Sequence, residues 1–287
     1  MLHRNIGYGF LAGTVSAFIS SVALASILSP SSFTVTPSAI PGVSGTFAPF
    51  TATFKQFGYT AVVTQDATGA FTEIGALNFS NFATPDTLGV IPGATSGLGA
   101  AGGYSLYETF TASGVAAPDA GGNIHATFTN FTVSLFGHAG PGFTLTLNAA
   151  GIPVVPPGSV TLGSSTGFVA GEARIFASQA SGDFDILGTF KPTTSFLSGS
   201  VFAGTSGALY DLNGVTTLIC GGITLPCGPV ASGLPPFGTA FSATLIGSGN
   251  QSNGPVPQIP EPASVVLLGS GFAWIMLIML WRRKQTA

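Results

Sequence analysis

Charge is scarce in this chain, with only 6% of its 287 residues being Asp, Glu, Lys or Arg. Between residues 26 and 259 the basic side chains are Lys55, Arg174 and Lys191, set against nine acids, so that stretch carries a net charge of minus six. Three scattered cations supply no basic stripe for counterion release, which excludes nucleic acid as a partner. Tryptophan is missing from the same stretch, since Trp274 and Trp281 both lie near the C-terminus. Histidine is nearly absent too, and His125 and His138 have no zinc-type spacing to the cysteines Cys220 and Cys227. No metal centre and no cofactor is expected.

A low charge can signal disorder, but disordered chains are poor in aromatic and β-branched residues. This one has 24 Phe and abundant Val, Ile and Thr, enough to bury a core. Its apolar residues recur at every second position: Phe131, Val133 and Leu135 alternate with Thr132 and Ser134, and Phe143, Leu145 and Leu147 alternate with Thr144 and Thr146. Period two predicts half-buried strands. Further strands are expected at 46–54, 59–63, 71–79, 104–111, 184–190, 195–202, 215–219 and 240–246, punctuated by Gly and Pro clusters such as Ile91-Pro92-Gly93 and Gly140-Pro141-Gly142. The Gly/Ala-rich run 93–103 and the Pro/Gly-rich run 226–238 are expected to be loops. The pattern predicts an all-β domain over residues 26–247, an antiparallel β-sandwich or jelly-roll-like fold.

Both ends of the chain differ from this. Met1–Arg4 carries a positive charge, residues 6–22 are apolar and small, and Ala23-Leu24-Ala25 is a small-x-small site, so residues 1–25 read as a signal peptide cut by signal peptidase after Ala25. Residues 263–281 contain no charge, and at about 1.5 Å per residue a helix of that length crosses the roughly 30 Å of a bilayer's hydrocarbon core. Arg282, Arg283 and Lys284 follow as the membrane stop and orient that end towards the cytoplasm. A polar Gly/Pro/Asn stretch, 248–259, is expected to be a flexible linker. In the oxidising compartment these ends imply, the isolated Cys220–Cys227 pair is expected to close a disulfide loop.

Pro260-Glu261-Pro262, the apolar helix directly after it and the Arg-Arg-Lys stop together resemble the PEP-CTERM sorting signal of Gram-negative bacteria. The resemblance covers residues 260–287. It implies recognition by a membrane-embedded exosortase, removal of the helix and delivery to the cell surface or extracellular matrix. It further implies company with exopolysaccharide.

Two catalytic strings match by spelling only. Gly163-Ser164-Ser165-Thr166-Gly167 fits G-x-S-x-G, but no histidine follows His138 to serve as the base. Gly97 to Gly102 fits G-x-G-x-x-G, but the residues after it read as strand instead of the helix that a pyrophosphate site needs. Asp183 and Asp185 alternate across Phe184 and are the weak candidates for Ca²⁺, with Glu172 or Asp211 as further ligands. Tyr59, Tyr104, Tyr107 and Tyr210 are the remaining aromatics able to stack on a sugar.

The expectation is a non-catalytic, exported surface or matrix protein. It would act in biofilm or floc through exopolysaccharide or copies of itself, and its helix would hold it in the membrane before processing. The alternative is a secreted carbohydrate-active enzyme using paired carboxylates.

Overall fold

The computed structural model describes residues 30–84, 89–118, 123–175, 182–203, 206–220 and 240–255. The expected signal peptide, sorting motif, membrane helix and basic stop, together with Cys227 and the expected loop 226–238, all lie outside these residues.

Eight long strands form one antiparallel ring: β3 (Phe54–Gln65), β4 (Ala70–Ala83), β6 (Tyr104–Pro118), β7 (Ile124–Ala139), β8 (Val160–Ile175), β9 (Gly182–Pro192), β11 (Ser206–Cys220) and β12 (Phe241–Pro255). Each pairs with the next in chain order, and β12 then pairs with β3 from Phe241–Gln65 through Ser252–Phe54. That last pairing closes the ring. The antiparallel, all-β character is as expected, but the strands form a closed up-and-down barrel in place of two facing sheets. A sandwich and a barrel demand the same alternation along each strand, and only the pairing of the first long strand with the last separates them.

Eight strands leave an interior that side chains can fill. Here the fill is aromatic. Tyr59, Phe71, Phe110, Phe128, Phe131, Phe184, Phe190 and Tyr210 are all at most 6% exposed, and they meet edge-on or stacked, as Phe131 and Tyr210 do at 5.0 Å. Several outward positions carry paired hydroxyls. Thr111 and Thr132 bond across β6 and β7 at 2.6 Å, and Thr166 and Thr189 across β8 and β9 at 2.9 Å. No helix among the described residues is long and apolar enough to cross a membrane.

A second sheet joins β1 (Phe33–Val35) to β2 (Phe50–Ala52) and β10 (Leu197–Ser198). It brings Phe33 and Val35 into the same core, and Ser31 N–H donates to the Asn253 carbonyl at the end of β12 at 2.8 Å. The first long hairpin is set by Asp66, whose carboxylate accepts from Thr68 N–H, Thr68 O–H and Ala70 N–H at 2.8, 2.6 and 3.1 Å. Those bonds hold the carboxyl below its usual range, the Thr68 hydroxyl contributing most. Gly69 completes the turn with φ +90°.

Several segments depart from expectation, among them 195–202, expected as a strand, which holds the two-residue β10 and then a 3₁₀ turn at Ser200–Phe202. Residues 143–147 do not join the sheet. They form an extended strap outside the barrel, where Leu145 packs with Ala76 and Tyr107, and Asn78 supplies the bonds a neighbouring strand would have made: Leu145 N–H donates to Asn78 Oδ1 at 2.6 Å, and Asn78 Nδ2 donates to the Leu145 carbonyl at 3.2 Å. Residues 248–255, expected as linker, are instead the second half of β12. Loop 93–103 holds a single-turn helix, α1 (Gly93–Ser96), and then glycines in left-handed conformations at 97, 99 and 102.

Candidate functional site

The unusual chemistry of this protein lies inside the barrel. Lys55 (β3), Glu73 (β4), Glu108 (β6) and Gln251 (β12) all point inward and are at most 3% exposed. Lys55 and Gln251 are register partners, and Gln251 is the register partner of Tyr210 on its other side. Gln251 Nε2 donates to Tyr210 Oη at 2.7 Å and to Glu108 Oε1 at 3.3 Å, and Tyr210 also bonds Glu108. Lys55 Nζ makes no hydrogen bond; it sits over three rings, Phe79 at 5.3 Å, Phe190 at 5.7 Å and Phe33 at 5.8 Å. An ammonium in such a cage is held by the rings' quadrupoles.

Burial disfavours charge on every member. It pulls the Lys55 amine down to about 8, against the attraction of Glu108. It pushes the Glu108 carboxyl up to about 7, opposed by Lys55 and by the bonds from Tyr210 and Gln251. Burial thus favours the neutral form of both groups, and their mutual attraction favours the ionic form. Glu73 has no cation beside it, and burial alone raises its carboxyl to about 8. It borders an interior cavity of about 20 Å³ lined also by Tyr59, Phe110 and Tyr210, room for a single water.

On the outer face a register row runs Thr127, Glu172, Asp185, Asp211, Asn250, Gln56 and Asn81 across seven strands. Its carboxamide end borders a groove of about 320 Å³ lined by Gln56, Ser80, Ser248 and Asn250. Its acidic end brings Glu172 and Asp211 beside Asp185, one on each neighbouring strand. Side chains on a convex barrel wall diverge, and no group of three His, Cys, Asp or Glu residues is arranged to hold a metal ion among the described residues. Glu172 lies 3.8 Å from Arg174, and Asp183 occupies the register position opposite Arg174.

The other candidates separate cleanly. Tyr59, Tyr104, Tyr107 and Tyr210 are at most 4% exposed, so none offers a ring to a sugar. Ser165 lies within β8, with its hydroxyl accepting from Val133 N–H at 2.9 Å, and is no nucleophile elbow. His138 packs on Phe143 at 5.6 Å. Cys220 ends β11 opposite Ala243. Sequence reasoning missed Lys55, Glu108 and Gln251. The available signal was that Lys55 and Glu108 stand at apolar-phase positions of their strands, Lys55 with Phe57 and Tyr59, Glu108 with Leu106 and Phe110.

The chain matches no family model, no curated protein and no solved structure.

Proposed function

We propose that this is an exported, exosortase-processed protein of the cell surface or matrix, and that its barrel has a structural and adhesive role in contact with exopolysaccharide. The filled barrel carries the non-catalytic half of this reading. Among the described residues the carboxyls that burial raises most, Glu73 and Glu108, face an interior with space for one water, where no sugar can enter. The C-terminal layout, Pro260-Glu261-Pro262 followed by an uncharged helix-length run and Arg282-Arg283-Lys284, supports the route.

Polysaccharide contact falls to the outer hydroxyls and carboxamides, above all the Gln56–Ser80–Asn250 groove, where amide groups match the donor and acceptor pairs of sugar hydroxyls. Without an aromatic platform each contact is weak, and adhesion comes from many copies on one polymer. The enzymatic alternative has one supporting observation, the neighbouring carboxylates Glu172, Asp185 and Asp211. On a convex wall they point outward together and do not flank a bound glycosidic bond.

The test is co-sedimentation of the purified protein with exopolysaccharide from its own host. Binding that falls at least several-fold in the Gln56→Ala/Asn250→Ala variant supports the assignment. Hydrolysis of the polymer that is lost in Asp185→Asn would replace it with the enzyme.

A further inference from the structure

From the geometry of the barrel interior we infer that Lys55 and Gln251 condense into an intramolecular amide cross-link, with Glu108 as the proton carrier. The reading goes beyond the surface role and does not depend on it, because the groups meet wherever the domain folds.

Three things that such a condensation needs are present together. The first is proximity. Lys55 and Gln251 are directly opposed in the β3–β12 register with both side chains inside the barrel, and opposed residues have Cβ atoms only about 4.5–5.5 Å apart. A lysine stem spans that gap to a neighbouring carboxamide, and fixed neighbours react as though at very high concentration. The second is a nucleophilic amine. Lys55 Nζ donates no hydrogen bond, and burial favours its neutral form, opposed by the surrounding rings, which hold an ammonium. The third is a proton carrier at the leaving group. Glu108 Oε1 is 3.3 Å from Gln251 Nε2, and Tyr210 Oη, 2.7 Å from the same nitrogen, fixes the carboxamide in place as a positioning residue.

The reaction balances without any added reagent. The neutral Nζ attacks Cδ of Gln251, forming the new C–N bond; the attack brings Nζ beside the carboxylate that already bonds the same carboxamide, and one proton then passes from Nζ to Glu108. Glu108 delivers that proton to Nε2, the Cδ–Nε2 bond breaks, and ammonia leaves. Carboxamide plus amine give a secondary amide plus ammonia, with Glu108 regenerated and no change of oxidation state. The aromatic fill leaves water, the competing nucleophile, no more than the single position in the small cavity beside Glu73. The structure also shows why the uncondensed cluster is reactive: Lys55 Nζ, Glu108 Oε2 and Gln251 Oε1 are buried with no hydrogen-bond partner, an unfavourable state for all three.

The location gives the bond a purpose. β3 and β12 are the strands whose pairing closes the ring, and β12 is the strand that leads to the C-terminal tail. An amide between them seals the barrel at the point where a pull on that tail would begin to open it.

The experiment is mass spectrometry of the full chain purified from an expression host, intact and after proteolysis. The expected result is a mass lower by one ammonia and a branched peptide joining Lys55 to Gln251, both absent from Lys55→Met and from Glu108→Ala. The branched peptide is read on residues 55 and 251 and is separate from any trimming of the chain ends. A wild-type peptide map with Lys55 and Gln251 unmodified overturns the inference, as does an ammonia loss that maps to other residues. The wild-type result decides the matter even if a variant fails to fold. A Glu108→Ala protein that still carries the branched peptide removes Glu108 from the mechanism.

Discussion

Tyr59 and Phe110 lie stacked inside the barrel, ring centroids 5.7 Å apart and planes 18° from parallel, because Gly75 between their strands carries no side chain. A Cβ at position 75 would stand 2.6 Å from Phe110 Cζ and 2.6 Å from Ala61 Cβ. Gly75→Ala is therefore expected to destabilise the fold by about 1–3 kcal/mol through overpacking, despite the better strand propensity of alanine. Chemical denaturation measures it; an unchanged or raised midpoint would show that the stack yields freely.

Glu73 gives the pH dependence. Its folded-state value, about 8, lies above the usual 4.5, so the folded state holds its proton more tightly than the unfolded state does. Stability from this group is complete below about pH 4.5 and is lost as pH rises towards 8. Glu73→Gln cannot ionise, so its melting temperature should gain on the wild type progressively across that window and level off above it. A difference between the two proteins that stays constant with pH would contradict the assignment.

Asn78→Ala removes both bonds that hold the outer strap at Leu145. The expected loss is about 1–3 kcal/mol, since a backbone N–H and C=O are left without partners. Hydrogen exchange should show faster exchange at the Leu145 amide with little change at the barrel strands. Equal acceleration throughout the barrel would mean the strap and the barrel unfold together.

Much of the barrel was legible in the alternation. Phe131-Thr-Val-Ser-Leu135 and Tyr59–Val63 read as half-buried strands because their inward residues are apolar. Residues 248–255 did not, because their inward residues are Gln251 and Asn253, and a polar-lined interior leaves no hydrophobic period to detect. Residues 163–171 were equally silent, since β8 carries glycine at 163 and 171, where Phe190 and Phe128 need room. Phe143, Leu145 and Leu147 alternate as a strand would, yet they lie on the outside of the barrel; alternation reports that one side is buried, and it does not report what supplies the backbone bonds. The interior cluster depends on the β12–β3 pairing, a contact between the two ends of the domain that local pattern cannot show.

Replacing Pro260-Glu261-Pro262 by three alanines should leave export intact and trap the protein in the inner membrane. Fractionation with an antibody to the barrel checks it. Normal release of the variant would sink the sorting-signal reading while leaving the barrel and its interior chemistry untouched.

The most direct measurement is the mass and terminal peptides of the protein recovered from the surface or medium of its native host. The account predicts a chain that begins at Ser26 and lacks the apolar run 263–281. A surface protein with that run still attached would contradict exosortase processing and make this a membrane-anchored barrel.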